Sequence, residues 1–168
     1  MKFRNPFRLF MPLLLLISAG TFAQITKEEK KKAEYEKLSA IIEARQYTFV
    51  AQTATSMSGR SRQLTGIYTL KIHHDSLEAD LPYFGRAYSA TPGDTNGGIN
   101  FSSTAFSYTI KNTKNGGWFV TIIPENKNKA SKLDLSISGG GFGTLQVTST
   151  NRDMISFYGN IRPNSNPK

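Results

Sequence analysis

The 168-residue chain has no cysteine and only two histidines, His73 and His74. The first absence removes thiol nucleophiles, thiolate metal sites and disulfide staples together. The second leaves a single place where imidazoles come close in sequence. Acids are scarce as well. Twelve Asp and Glu stand against 21 Lys and Arg, for a net charge of +9. Five of the twelve, Glu28, Glu29, Glu34, Glu36 and Glu43, fall in one short segment. Long apolar runs are missing too, with one exception near the N-terminus. Residues 9–17 are almost unbrokenly apolar, half the roughly 20 residues that a membrane-spanning helix needs.

That run has a characteristic setting. Lys2, Arg4 and Arg8 precede it with no acid among them, and Ser18, Ala19, Gly20 and Thr21 lead from it to Phe22-Ala23-Gln24. A basic start, a short apolar middle and a small-residue end describe a secretory signal peptide over residues 1–23, which predicts cleavage after Ala23. No cysteine follows the run, so a lipid anchor on cysteine is excluded. The mature chain has no expected transmembrane anchor, and its expected location is periplasmic or secreted. Cleavage lowers the net charge from +9 to +6, because three basic residues and no acid lie in the leader. The remaining cations are scattered and form no stripe interleaved with aromatics, so nucleic acid is not an expected partner. A small ligand or an envelope component is the expected one.

The mature chain divides into an N-terminal helical segment (24–45), one β domain (46–162) and a Pro- and Asn-rich tail (163–168) expected to be disordered. Thr26 and Glu29 have capping-box spacing, and Glu28 precedes Lys32 in the favourable order. Leu38, Ile41 and Ile42 give this helix an apolar stripe only toward its end, so its first half is expected to project. After Arg45 the period changes to two. Tyr47, Phe49 and Ala51 alternate with polar or smaller neighbours, and so do Leu77, Ala79 and Leu81. Residues 67–72, 106–110, 118–123, 133–137, 145–147 and 155–161 also read as strands, whereas the polar stretch 53–62 reads as a loop. Residues 112–117 form a strong turn signal ahead of the Trp118 strand. About eight short strands between Gly, Asn, Pro and Ser clusters predict an antiparallel barrel or two-sheet sandwich with one N-terminal helix.

Four segments carry a resemblance. They are Leu81-Pro82-Tyr83-Phe84-Gly85-Arg86-Ala87-Tyr88, Gly97-Gly98-Ile99-Asn100-Phe101, Gly141-Phe142-Gly143-Thr144-Leu145 and residues 151–159, from Asn151-Arg152-Asp153 to Tyr158-Gly159. Together they resemble the domain-of-unknown-function family 4251, exported proteins of Bacteroidetes-type bacteria. The resemblance spans about residues 35–163. It implies one exported bacterial domain and brings no activity or catalytic residues with it.

Chemical motifs are few. His73-His74-Asp75 precedes Ser76 between two strands and reads as an exposed hairpin turn, since neighbouring strand residues face opposite sides. No Gly-x-Ser-x-Gly elbow presents a nucleophile. Gly139-Gly140-Gly141-Phe142-Gly143 lacks the lysine and hydroxyl of a phosphate loop, and Gln146 stands where a dinucleotide fingerprint needs its third glycine. These glycines read as a tight β connection or a bend with positive φ. No catalytic, metal or cofactor signature emerges. Residues 81–88 are the best site candidate: a proline and a glycine fix the path of a segment that places Tyr83, Phe84 and Tyr88 around Arg86. An arginine among rings can hold an anionic group while the rings cover the rest of a ligand. Asn100, Arg152 and Tyr158 join the candidate ligand-binding set from the other motif-like segments. The leading expectation is a non-enzymatic envelope or secreted domain that binds a ligand or partner. A hydrolase acting on envelope material and a purely structural or protein-interaction domain are the alternatives.

Overall fold

The computed structural model describes residues 26–88 and 97–164. The expected signal segment 1–23 and residues 165–168 of the expected tail lie outside the described residues. Thr26 caps α1 (Lys27–Glu43): its hydroxyl accepts from the Glu29 N–H at 3.3 Å, and the Glu29 carboxylate accepts from the Thr26 N–H at 2.8 Å. The helix is exposed as far as Lys37 and buries only Leu38 and Ile42, as its late apolar stripe predicts. No helix of the described residues is long and apolar enough to cross a membrane.

Nine strands follow: β1 (Gln46–Ser56), β2 (Ser61–His73), β3 (Ser76–Leu81), β4 (Ile99–Ser103), β5 (Phe106–Asn112), β6 (Trp118–Pro124), β7 (Lys132–Ile137), β8 (Phe142–Thr148) and β9 (Ile155–Pro163). They form one antiparallel sheet in the order β4-β3-β2-β1-β9-β8-β7-β6-β5. Because β1 pairs antiparallel with both β2 and β9, the alternation around the sheet makes β4 and β5 run the same way. Only Thr104 and Ala105 separate these two strands. They act as one bent strand whose first half pairs with β3 and whose second half pairs with β6. The bend is pinned at Ser103, whose hydroxyl donates to the Ala105 carbonyl (2.9 Å) and accepts from the Ala105 N–H (3.2 Å). The sheet thereby curls into a nearly closed barrel, with an even number of strand directions around it.

Alternate residues fill the interior. Tyr47, Phe49, Leu70, Ile72, Trp118, Ile122, Leu133 and Phe157 are among the fully buried side chains. The inward phase in β1 jumps from Ala51 to Ala54, where both of its neighbours shift register in a β-bulge. Gly159 of β9 faces Ala51 there, and any Cβ on it would run into the Val50 carbonyl.

One sequence expectation is corrected. Residues 53–62 are not a loop: β1 and β2 continue to Ser56 and Ser61, with Thr53 opposite Gln63 and Thr55 opposite Ser61. Their side chains bond across the pair at 3.1 and 2.8 Å. In this outer half of the hairpin β2 is largely exposed and β1 buries only Ala54, so no apolar alternation marks it, while β-branched threonines still favour extended backbone. Nine strands stand beside the about eight expected, the further one being β4, a five-residue strand that follows Gly97 and Gly98. At the C-terminus β9 includes Pro163, and the Asn164 side chain accepts from the Thr48 hydroxyl (2.7 Å) and donates to the Ile72 carbonyl (2.8 Å).

The end of α1 covers one mouth of the barrel. Tyr35 stacks on Trp118 at 5.0 Å between ring centroids. The Tyr47 and Tyr108 hydroxyls meet at 3.1 Å, and Tyr108 donates onward to the Ile42 carbonyl at 3.4 Å. Burial pushes the Tyr47 hydroxyl well above the ordinary tyrosine range. The β7–β8 connection passes beneath the helix, with Gly141 at φ 79° beside Leu38 and Gly139 against Tyr35. His73 and His74 form the β2–β3 hairpin tip, where the His74 N–H donates to the Arg45 carbonyl at 2.8 Å.

Candidate functional site

The other mouth of the barrel is crossed by a strap, residues 82–88. It leaves the buried end of β3 at Leu81 and reaches the β8–β9 connection, where Ala87 bridges Arg152. Backbone bonds fasten it: the Tyr88 N–H donates to the Asn151 carbonyl (2.8 Å) and the Asp153 N–H to the Arg86 carbonyl (3.0 Å). Strand pairing cannot extend through Pro82, which has no N–H to give, so the chain is free to turn across the mouth.

Tyr83 is the hub of the strap. Its hydroxyl proton is shared between the Arg86 carbonyl (2.8 Å) and the Asp153 carbonyl (3.0 Å). Desolvation, aided by the Asp153 charge, raises its pKa. Gly85 is required beside it, because a Cβ there would strike the Tyr83 hydroxyl. The Arg152 guanidinium lies over the Tyr83 ring at 4.9 Å and donates to the carbonyls of Gly97 (3.0 Å) and Gly98 (3.4 Å). At 6 % exposure Arg152 is the buried charged residue of the described core. It ties the strap, the start of β4 and the approach to β9 into one corner.

Around that corner stand the more exposed members of the predicted set. Phe84 lies under the Arg62 guanidinium, 5.0 Å away. Arg86 is exposed, and Tyr88, at 71 % exposure, donates its hydroxyl to the Asp153 carboxylate. That bond raises the Tyr88 pKa. Tyr83, Phe84, Arg86, Tyr88 and Arg152 are therefore brought together. Asn100 is a close neighbour, exposed on β4, with its amide facing the Asp80 carboxylate across the β3–β4 pair at 3.0 Å. Tyr158 is not part of the cluster. It lies on the outer face of β9, its ring parallel to that of Phe142 with centroids 6.2 Å apart.

Sequence reasoning did not find Arg62, Asp153 or Phe142. The first two come from other strands or turns, and only the closed barrel brings them to the strap. Phe142 had a usable signal: it shares the outward parity of Thr144 and Gln146 in a strand whose buried residues are Leu145 and Val147. Chemically, the strap and the neighbouring end of β2 offer two exposed guanidinium groups, Arg86 and Arg62, beside two accessible rings. That set can hold an anion and cover an apolar moiety. Two grooves lie elsewhere. One is apolar, between α1 and the barrel, lined by Tyr35, Leu38, Ile41 and Ile161. The other is polar, on the outer face beside Tyr158.

No protein of curated function matches the chain. Its fold is similar to the crystal structure of a DUF4251 family protein from Bacteroides eggerthii DSM 20697, with a TM-score of 0.56 over 78 % of this chain and 88 % of that one. At 14 % identity the likeness is one of fold alone. The sequence profile of the same family, a domain of unknown function, matches residues 29–161. The nine-stranded barrel and one helix of the described residues thus have the architecture of a known family, and the chain belongs to DUF4251.

Proposed function

We propose that the protein is an exported, non-enzymatic domain of the cell envelope or the secreted fraction, and that it binds its ligand or partner on the outside of the barrel. The order of charges, apolar residues and small residues in 1–23 supports export. The observation that carries the binding mode is the filled interior. Trp118, Tyr47, Phe49 and Phe157 are fully buried within the barrel, α1 lies over one mouth and the strap over the other. Recognition then belongs to the surface, and the strap gives it a cationic, aromatic edge. Arg86 holds an anionic or strongly polar group there, Arg62 assists, and Phe84 and Tyr88 flank the apolar remainder. Tyr83 and Arg152 hold the edge in shape.

The test is retention of the full chain on an anionic polymer, polygalacturonate, and on vesicles containing phosphatidylglycerol, with Arg86→Ala and Lys111→Ala compared. Loss of a charge-assisted contact of about 1.5–3 kcal/mol should weaken one of the two interactions by roughly tenfold or more in Arg86→Ala. The exposed Lys111, on the distant β5, reports what loss of any one charge does. Equal effects of the two substitutions would reduce the interaction to bulk basic charge and sink the assignment to the strap.

A further inference from the structure

Away from the strap, the outer face of the barrel builds a groove that is wholly uncharged. It is lined by Thr113, Asn115, Ser136, Ser138, Thr144, Phe142 and Tyr158, with glycine backbone between them. No Lys, Arg, Asp or Glu lines it, although the chain has 21 basic and 12 acidic residues. The register explains the arrangement. Phe119 lies opposite Ser136, Ser136 opposite Thr144, and Thr144 opposite Tyr158, so these four exposed residues form one row across β6 to β9. Phe142 stands two residues before Thr144 on the same face, and its ring lies within 3° of parallel to that of Tyr158.

The core does not ask for these rings. Phe142 is 51 % exposed and Tyr158 49 %, on a face where the alternation of each strand points away from the interior. Hydroxyls and an amide surround them. The Ser138 hydroxyl is engaged with the Phe142 carbonyl (3.1 Å), and that of Thr113 with the Gly117 N–H (3.0 Å). Ser136, Thr144 and Asn115 are exposed beside the rings. Accessible rings next to neutral donors and acceptors suit a molecule with an apolar C–H face, many hydroxyls and no charge. A pyranose ring is such a molecule: its C–H face stacks on an aromatic ring while its hydroxyls exchange hydrogen bonds with hydroxyl and amide side chains. The lining row from Ser136 to Tyr158 spans two strand spacings, about 9–10 Å, which fits a short run of linked sugars. A protein partner fits less well, because a stable protein interface buries about 800 Å² on each side around an apolar centre, and the lining of this groove is half polar.

We propose that this outer groove is a subsite for a neutral glycan chain, with Tyr158 and Phe142 stacking on sugar rings and Ser136, Thr144 and Asn115 hydrogen bonding to their hydroxyls. The proposal rests on the surface-binding reading above, but not on the strap, and so gives the protein a second recognition surface of different chemistry.

Native gel electrophoresis of the full chain through soluble starch, xylan, mannan or mixed-linkage β-glucan tests it, with polygalacturonate as the charged comparator. At least one neutral polymer should retard the chain. The double substitution Phe142→Ala/Tyr158→Ala should weaken that retardation by about tenfold, with the melting transition retained. If the alanine pair does not fold, Phe142→Thr/Tyr158→Thr keeps strand propensity while removing both rings, and the same loss is expected. Arg86→Ala should leave neutral-polymer binding unchanged. Indifference to all four neutral polymers overturns the proposal, as does retardation that survives removal of both rings. A double variant whose light-scattering mass falls from dimer to monomer also overturns it, by making the patch a protein contact. A chain retarded by a neutral polymer through Tyr158 but indifferent both to polygalacturonate and to phosphatidylglycerol vesicles sinks the strap assignment alone. The reverse result sinks the glycan subsite alone.

Discussion

The two mouths of the barrel are closed by different physics. At one, α1 lays Leu38 and Ile42 over the core and stacks Tyr35 on Trp118, so the cover is mainly apolar contact. At the other, the strap is held by carbonyls that converge on Tyr83 and on a buried guanidinium, Arg152. Apolar burial is non-directional, so a helix docked this way tolerates small displacements. A buried cation bound to carbonyls fixes distances and angles, and it stabilises only while its partners remain in place. The helix end therefore serves stability, whereas the strap end serves shape. Shape is what a recognition edge needs, and Phe84, Arg86 and Tyr88 project from the directional end.

Substitutions can break this contrast. The largest effect is expected at the apolar end. Trp118→Ala should cost about 3–5 kcal/mol in denaturant unfolding, because a fully buried indole leaves a cavity under the helix. A cost below about 1 kcal/mol would show that the helix end does not depend on packing. Next, Arg152→Met should cost about 2–3 kcal/mol, the size expected when charge-assisted bonds are lost and buried carbonyls are left without their donor. Its signature should be local: amide exchange should accelerate in residues 82–88 and 97–98 while α1 keeps its protection. Equal acceleration at both mouths would erase the distinction. Tyr47→Phe is the mildest at neutral pH, about 1 kcal/mol for the lost hydroxyl pair. Its informative range is alkaline. The folded state holds Tyr47 neutral above the ordinary tyrosine pKa, so the stability it contributes is complete below about pH 10 and is lost as pH rises beyond that. Tyr47→Phe should flatten that alkaline decline in part, since Tyr108 is also raised by burial. An unchanged pH profile would assign the decline to other groups.

The same contrast governs what the sequence reveals. The helix end was readable because its determinants are local. Thr26 and Glu29 are three residues apart, Leu38 and Ile42 four, and the alternation of Tyr47, Phe49 and Ala51 marks the core face of β1. The three consecutive glycines read correctly as a tight connection, with Gly141 at positive φ. The strap was noticed for its composition, yet its logic was hidden. Arg152 is 66 residues beyond Arg86, and nothing local separates a cation that will be buried under carbonyls from one that will face water. The same blindness applies to β4, which exists because β3 offers it an edge, and to the outer groove, where Phe142 and Tyr158 meet only through the β8–β9 register. One-dimensional patterns report which way a side chain points, not which other strand it will point beside.

The pairing of β1 with β9 makes the first strand of the domain the neighbour of the last. Tyr47 lies opposite Pro163, so the two termini of the β region leave the barrel together. During synthesis, every intermediate that lacks residues 155–163 has two open edges, one on β1 and one on β8, each a row of unpaired backbone donors and acceptors. Closing the circle is the contact of greatest sequence separation in the sheet and carries the largest loop-closure entropy. The chain therefore cannot complete its barrel piecemeal from the N-terminus: the final nine-residue strand acts as a zip, and until it arrives the rest of the domain is an open ribbon.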